Sequence, residues 1–173
     1  SYKNKDGGII HNPSRPFLPN FDSLAPRRLE IPLHPMYDTP EHTGGSRHRQ
    51  TGRHAYILSS EGCPLKCNFC HIHTMAGNIR YYSLARFEEE VARLKAAGVN
   101  EVLVEDDMFL ADIPRALAVA DILKKYDLAW FEEGGLSMFK FMKPGCGLTY
   151  EQILDKLAAS GCYRFYLAIE SAN

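Results

Sequence analysis

Three of the five cysteines fall within eight residues, in the string GCPLKCNFC that carries Cys63, Cys67 and Cys70. This spacing, C-x3-C-x2-C, presents three thiols together on one short loop. An odd cysteine total with this clustering argues against a disulfide framework and for a soft-metal or iron-sulfur site. A tight loop lets three sulfurs approach three irons of a cubane and leaves the fourth iron without a local cysteine, an open coordination position. The rival on the same residues is zinc, since His73 follows Cys70 at the spacing of a Cys3His site with Cys63 and Cys67. The other thiols read as bystanders: Cys162 sits in an apolar run and Cys146 in the KPGCG segment.

The surrounding pattern is that of a globular α/β chain. With 173 residues, 45% of them apolar and a mean hydropathy of −0.27, the chain suits one domain with an appendage. No apolar run has the length of a membrane helix. The formal net charge of −1 argues against a dedicated nucleic-acid binder; the one basic cluster is Arg47, His48, Arg49 and Arg53. Reduced cysteines and no charged-then-apolar leader give an expectation of a cytoplasmic protein with no membrane or nucleic-acid partner. A start at Ser1 and an end just after an apolar run read as a piece of something longer.

Seven of ten prolines lie between Pro13 and Pro40, so residues 1–53 are expected to be an extended, irregular linker or wrapping arm. Residues 54–173 alternate strands and helices. Ala55–Leu58 is the first expected strand. Leu84, Phe87, Val91 and Leu94 then mark an amphipathic helix, with Ser83 to cap it and Gly98 past its end. Glu101–Val104 is the second strand, followed by the acidic turn Glu105, Asp106, Asp107. A helix over Ile113–Tyr126 has Asp112 at its entrance and Pro114 in its first turn, and Leu128–Phe131 is a third strand. Thr149 and Gln152 have capping-box spacing ahead of a third helix that ends before Gly161. Cys162–Ile169, apolar apart from Arg164, reads as a fourth strand covered on both faces. Such alternation builds a parallel sheet, either doubly wound or curled toward a barrel. Ligand sites in such sheets gather at the carboxyl ends of the strands. That is where the cysteine loop, Glu105 to Asp107, a turn carrying Glu132, Glu133, Gly134 and Gly135, and Glu170 with Ser171 all stand.

GCPLKCNFC after a first strand, with Phe69 immediately before the last cysteine, resembles the cysteine loop of the radical S-adenosylmethionine (SAM) superfamily. GNIRYYSLARFEEEV, VLVEDDMFLAD and GCYRFYLAIESAN, together with the linker-like IIHNPSRPFLPNFDSLAPRR, resemble the subgroup whose radical domain follows a cobalamin-binding domain. The resemblance implies a partial (βα) barrel of radical SAM type, about four of six strands, behind the Pro-rich arm. It implies that Cys63, Cys67 and Cys70 hold a [4Fe-4S] cluster and that SAM chelates the open iron. Reductive cleavage of SAM then gives a 5'-deoxyadenosyl radical. Phe69 is implied on the adenine side, Asp106 and Asp107 at the methionine ammonium, and Glu170 and Ser171 at the ribose or methionine moiety. Arg80 is read either as a partner for a carboxylate or as a surface arginine, and His71 and His73 as loop polar residues. The function expected is cobalamin-dependent methyl transfer to an unactivated centre of a small molecule or peptide, fed by an electron donor such as a flavodoxin or ferredoxin. The alternatives are a radical rearrangement or oxidation without methyl transfer, and a non-catalytic module stabilised by zinc or a cluster.

Overall fold

The computed structural model describes residues 1–19, 21–25, 53–136 and 145–167. The arm opens with a small antiparallel hairpin, β1 (Tyr2–Lys3) and β2 (Ile9–Ile10). This departs from the irregular chain expected there. Asn4 is the cause, because its side-chain oxygen accepts from Asp6 N at 3.1 Å and Gly8 N at 2.7 Å and closes the turn locally.

The body has four strands, β3 (His54–Ile57), β6 (Glu101–Val104), β7 (Ala129–Leu136) and β8 (Cys162–Leu167). Between the first two lie β4 (Ser60–Glu61), α1 (Ile72–Met75), β5 (Arg80–Tyr81) and α2 (Leu84–Ala96). A short 3-10 turn at Phe109–Ala111 precedes α3 (Ile113–Lys125), and α4 (Tyr150–Ala159) precedes β8. The sheet order is β3-β6-β7-β8 and every pairing in it is parallel. Each crossover advances by one strand in the same direction. With right-handed connections this keeps all the helices on one face, which is the curl of a barrel and not the two-sided winding of an open sheet.

The helices begin and end where their caps stand. Ser83 Oγ accepts from Arg86 N at 3.1 Å and starts α2, and Gly98 follows its end with a φ of 84°. Asp112 Oδ1 accepts from Arg115 N at 3.1 Å and starts α3. Thr149 and Gln152 form the reciprocal box at α4, with bonds of 2.9 and 3.3 Å. Phe87, Val91 and Leu94 from α2, Ala116, Val119, Ala120 and Leu123 from α3, and Ile153 and Leu157 from α4 share one core with Ala55, Ile57, Val102, Val104 and Trp130. Trp130 sits at its centre and donates from Nε1 to the Ser160 carbonyl and hydroxyl, each at 3.2 Å.

Two expectations change. The strand buried on both faces is β6 and not β8, whose last two described residues are exposed. Among the described residues, β8 is the outer strand of the sheet and pairs with β7. Glu132, Glu133, Gly134 and Gly135 do not form a turn, because β7 continues through them to Leu136. Thr149→Ala removes one half of the α4 capping box and is expected to cost about 1 kcal/mol in urea unfolding. Thr149→Ser should restore most of that loss.

Candidate functional site

Past Ile57 the chain is held by a buried acid. Asp106, 1% exposed, lies just beyond the end of β6. Its Oδ1 accepts from Ser59 N at 2.6 Å and Ser60 N at 3.1 Å, and its Oδ2 from the Ser59 and Ser60 hydroxyls at 2.6 and 2.7 Å. Burial pushes this carboxyl above its ordinary value, and the serine donors pull it back. Arg115 of α3 completes the joint: it donates to the Ser59 carbonyl at 3.0 Å and the Tyr82 carbonyl at 2.7 Å, with its guanidinium over Tyr81. All four hydrogen bonds of Asp106 are therefore made to the root of the cysteine loop. The resemblance implies this acid at a ligand's ammonium, and the structure shows its carboxylate buried against two serines. Position after a strand does not reveal which donors a carboxylate will meet.

Asp107, half-buried, accepts from Gly62 N at 2.7 Å, directly before Cys63. The loop then runs out between β4 and β5, which pair antiparallel through Ser60 with Tyr81 and Glu61 with Arg80. Gly62 has a φ of 88°, and a Cβ there would stand 2.7 Å from the Asn78 carbonyl oxygen, so only glycine lets the two limbs close. Cys63 is half-buried with its sulfur 3.7 Å from Met108 Sδ, whereas Cys67 and Cys70 are exposed; all three are free thiols. Phe69, 67% exposed, stands between the two outer cysteines. The His73 ring lies against the Leu65 carbonyl within the loop.

Burial raises the proton affinity of Cys63, a bond from Leu65 N lowers it, and the charges of Cys67, Cys70 and Asp107 raise it further. An ionised Cys67 or Cys70 would thus repel a Cys63 thiolate. Among the described residues, no three His, Cys, Asp or Glu side chains converge as a ready-made metal site. The donor set nevertheless fits an iron-sulfur cluster in kind: three free thiols on one loop, whose mutual repulsion a cationic centre reverses. Cys162 is buried and its thiol is pushed up to about 12, chiefly by burial, so it is inert, and Cys146 packs against the core. Glu170 and Ser171 lie outside the described residues.

Neighbouring strand ends add acids that the sequence did not single out by environment. Gly134 of β7 passes so close to Asp106 that a Cβ would stand 1.9 Å from the Asp106 carbonyl oxygen. Glu132 is 1% exposed, and neither carboxylate oxygen has a hydrogen-bond partner among the described residues. Burial pushes its carboxyl up to about 8; the nearby Gly135, Gly134 and Tyr166 amides oppose this and the Asp106 charge adds to it. Glu105 is pushed up by burial and by Glu133 beside it, and burial, with the charges of both acids, raises Tyr56 on β3. The sequence marks Glu132 as part of a turn at a strand end, but not its burial inside β7.

The model of the radical SAM superfamily matches residues 57–173. Over 137 residues, 78% of the chain, it is 30% identical to cytidylyl-2-hydroxyethylphosphonate methyltransferase of Streptomyces wedmorensis, spanning 23% of that protein. Over 55 residues, 31% of the chain, it is 51% identical to the ribosomal protein uS12 methylthiotransferase RimO of Legionella pneumophila, spanning 13% of that protein. The fold is similar to that of the radical SAM methyltransferase TsrM of Kitasatospora setae, solved with cobalamin and a [4Fe-4S] cluster. The TM-score is 0.51 at 20% identity, over 64% of this chain and 21% of that one. Among the described residues no helix is long and apolar enough to cross a membrane.

The unfolded Glu132 carboxyl ionises near its ordinary 4.5 and the folded one only at about 8. Between those values the unfolded chain has released a proton that the folded chain retains, so stability is expected to fall as pH rises across that window. Thermal unfolding at pH 5 and pH 8.5 should show a smaller drop in Tm for Glu132→Gln than for the wild type. Asp106→Ala, which orphans two buried amides, is expected to cost about 2 to 4 kcal/mol in urea unfolding.

Proposed function

Because the chain belongs to the radical SAM superfamily, we propose that Cys63, Cys67 and Cys70 hold three irons of a [4Fe-4S] cluster and that the protein uses SAM for radical methyl transfer. The observation that carries this reading is the placement of three free thiols on one loop, rooted at the carboxyl end of β3 beside the end of β6. When bound, the cluster and SAM supply a one-electron cleavage that yields a 5'-deoxyadenosyl radical able to take hydrogen from an unreactive carbon.

The chain's own residues contribute position and shelter. Asp106, Ser59, Ser60 and Arg115 fix where the loop leaves the sheet. Phe69 offers an exposed ring for the adenine side. Asp107 is the acid of the pair that keeps some exposure, and we assign it, rather than Asp106, to the methionine ammonium. Glu170 and Ser171 follow β8 and would meet the ribose or methionine moiety from the adjoining strand end.

Methyl transfer with cobalamin is the finer part of the proposal. It is supported by the similarity over 78% of the chain to a phosphonate methyltransferase and by the likeness in fold to a cobalamin-bound methyltransferase. The substrate class is a small molecule or peptide with an unactivated centre, and the electron donor a flavodoxin or ferredoxin. A second reading, sulfur insertion without cobalamin, draws on the shorter match to a methylthiotransferase.

Anaerobic purification should yield a brown protein with about four iron and four sulfide per chain. Cys67→Ser should lose the bulk of both. SAM should change the electron paramagnetic resonance spectrum of the reduced cluster, and 5'-deoxyadenosine should form. A colourless protein with one zinc and no sulfide would sink the proposal. Deoxyadenosine release with no cobalamin retained and no methylated product would favour the second reading.

A further inference from the structure

The cysteine loop leaves the body at Glu61 and returns at Arg80, and one side chain meets both limbs. Arg80 Nη2 donates to the Ala76 carbonyl at 2.8 Å, where α1 ends, and reaches Glu61 Oε2 at 3.4 Å. Its Nη1 donates to the Leu18 carbonyl at 2.7 Å, 62 residues away in sequence. The guanidinium also lies over the Phe17 ring at 5.1 Å and the Phe21 ring at 4.6 Å. Around this centre the contacts multiply. Phe21 is buried and stacks on Tyr82 with ring centroids 4.8 Å apart. Asp22 Oδ1 accepts from Ser83 N at 2.9 Å, at the entrance to α2. Gly77 leaves no space for a Cβ, which would stand 2.9 Å from Phe17 Cε2. The arm thus reaches the return limb of the loop at Gly77, Arg80 and Tyr82.

Only a planar fork with donors on two nitrogens and a face for stacking serves two carbonyls, a carboxylate and two rings at once; an ammonium is a point charge and cannot. Buried Arg80 Nε has no partner, which marks a side chain held by the sum of its surroundings and not by one bond. We propose that Arg80 is a positioning residue for the cysteine loop, locking its outgoing and returning limbs to Phe17, Leu18 and Phe21 of the arm, so that the arm is part of the site. The positional role rests on the assignment of Cys63, Cys67 and Cys70 as cluster ligands; the coupling of arm to loop does not.

The test compares wild type with Arg80→Ala, Arg80→Lys and Phe17→Ala, all in the full chain. Phe17 is 49% exposed, so its truncation trims the clamp without opening the core. In metal-free protein, hydrogen exchange in Arg80→Ala and Phe17→Ala should quicken together in residues 60–81 and 17–22, with α2, α3 and α4 unchanged. In cluster-loaded protein, both variants should lose iron to a chelator about tenfold faster and show an altered electron paramagnetic resonance line shape. Arg80→Lys should fall between them and the wild type. Wild-type iron loss in Arg80→Ala overturns the positional role. Faster exchange spread evenly over the core helices marks general destabilisation and overturns the coupling. If the wild type takes up no iron and sulfide, the ligand assignment is what has failed, and with it the positional role; exchange in 60–81 unaffected by Phe17→Ala would then remove the coupling as well.

Discussion

The architecture of the site depends on one buried carboxylate. Asp106 joins the end of β6 to the segment after β3 through four hydrogen bonds to two consecutive serines. Ionised, it pays for burial with donors that are all fixed in place, and the balance still leaves its proton affinity raised. An apolar pair would make an easier contact. What the carboxylate adds is direction: its two oxygens determine where Ser59 and Ser60 stand, and three residues later the chain reaches Cys63. Arg115 then fastens the same serine's carbonyl to the entry of α2, so strand end, loop root and helix layer move as one unit.

Topology decides which face carries chemistry. Stepping β3-β6-β7-β8 with the helices all on one side leaves the other face to Tyr56, Leu103 and Phe131, which alternate with the core residues Ile57, Val102 and Val104, and Trp130. Arg164 stacks over Phe131 at 4.2 Å, and the Tyr163 hydroxyl donates to buried Glu101, so this face is a packed polar-aromatic layer in its own right. At its carboxyl edge stand Glu105 and Glu133, and burial together with Glu133 holds the Glu105 carboxyl above its ordinary value. The cysteine loop rises at the same edge because it begins where β3 ends.

Local chemistry was legible in the sequence and remote chemistry was not. Ser83, Asp112 and the Thr149–Gln152 box mark helix starts because a cap acts within three residues, and the stripe of Phe87, Val91 and Leu94 is visible because burial follows the helical period. The cysteine trio announces soft-metal chemistry by residue type alone. The residues that orient it escape such reading. Arg80 meets Leu18 and Asp106 meets Ser59 across 62 and 47 residues, and no periodicity connects them. At Asp106 a polar residue at a strand end implied a ligand, whereas the carboxylate serves the fold.

These contrasts explain why the loop is rigid at its base and open at its tip. Three thiolates brought together without a cation repel, and the charges of Cys67 and Cys70 add to the burial that already holds the Cys63 thiol above its ordinary value. A chain that forced all three sulfurs to one point in advance would bear that repulsion in every metal-free molecule. Leaving Cys67 and Cys70 exposed avoids it, but a wholly loose loop would lose much conformational entropy on closing around a bound group. Fixing both limbs at Gly62, Arg80 and the Asp106 serines confines that loss to the few residues that carry sulfur. The hydrogen bonds are therefore placed at the root of the loop, and exposure to solvent is kept at Cys67 and Cys70.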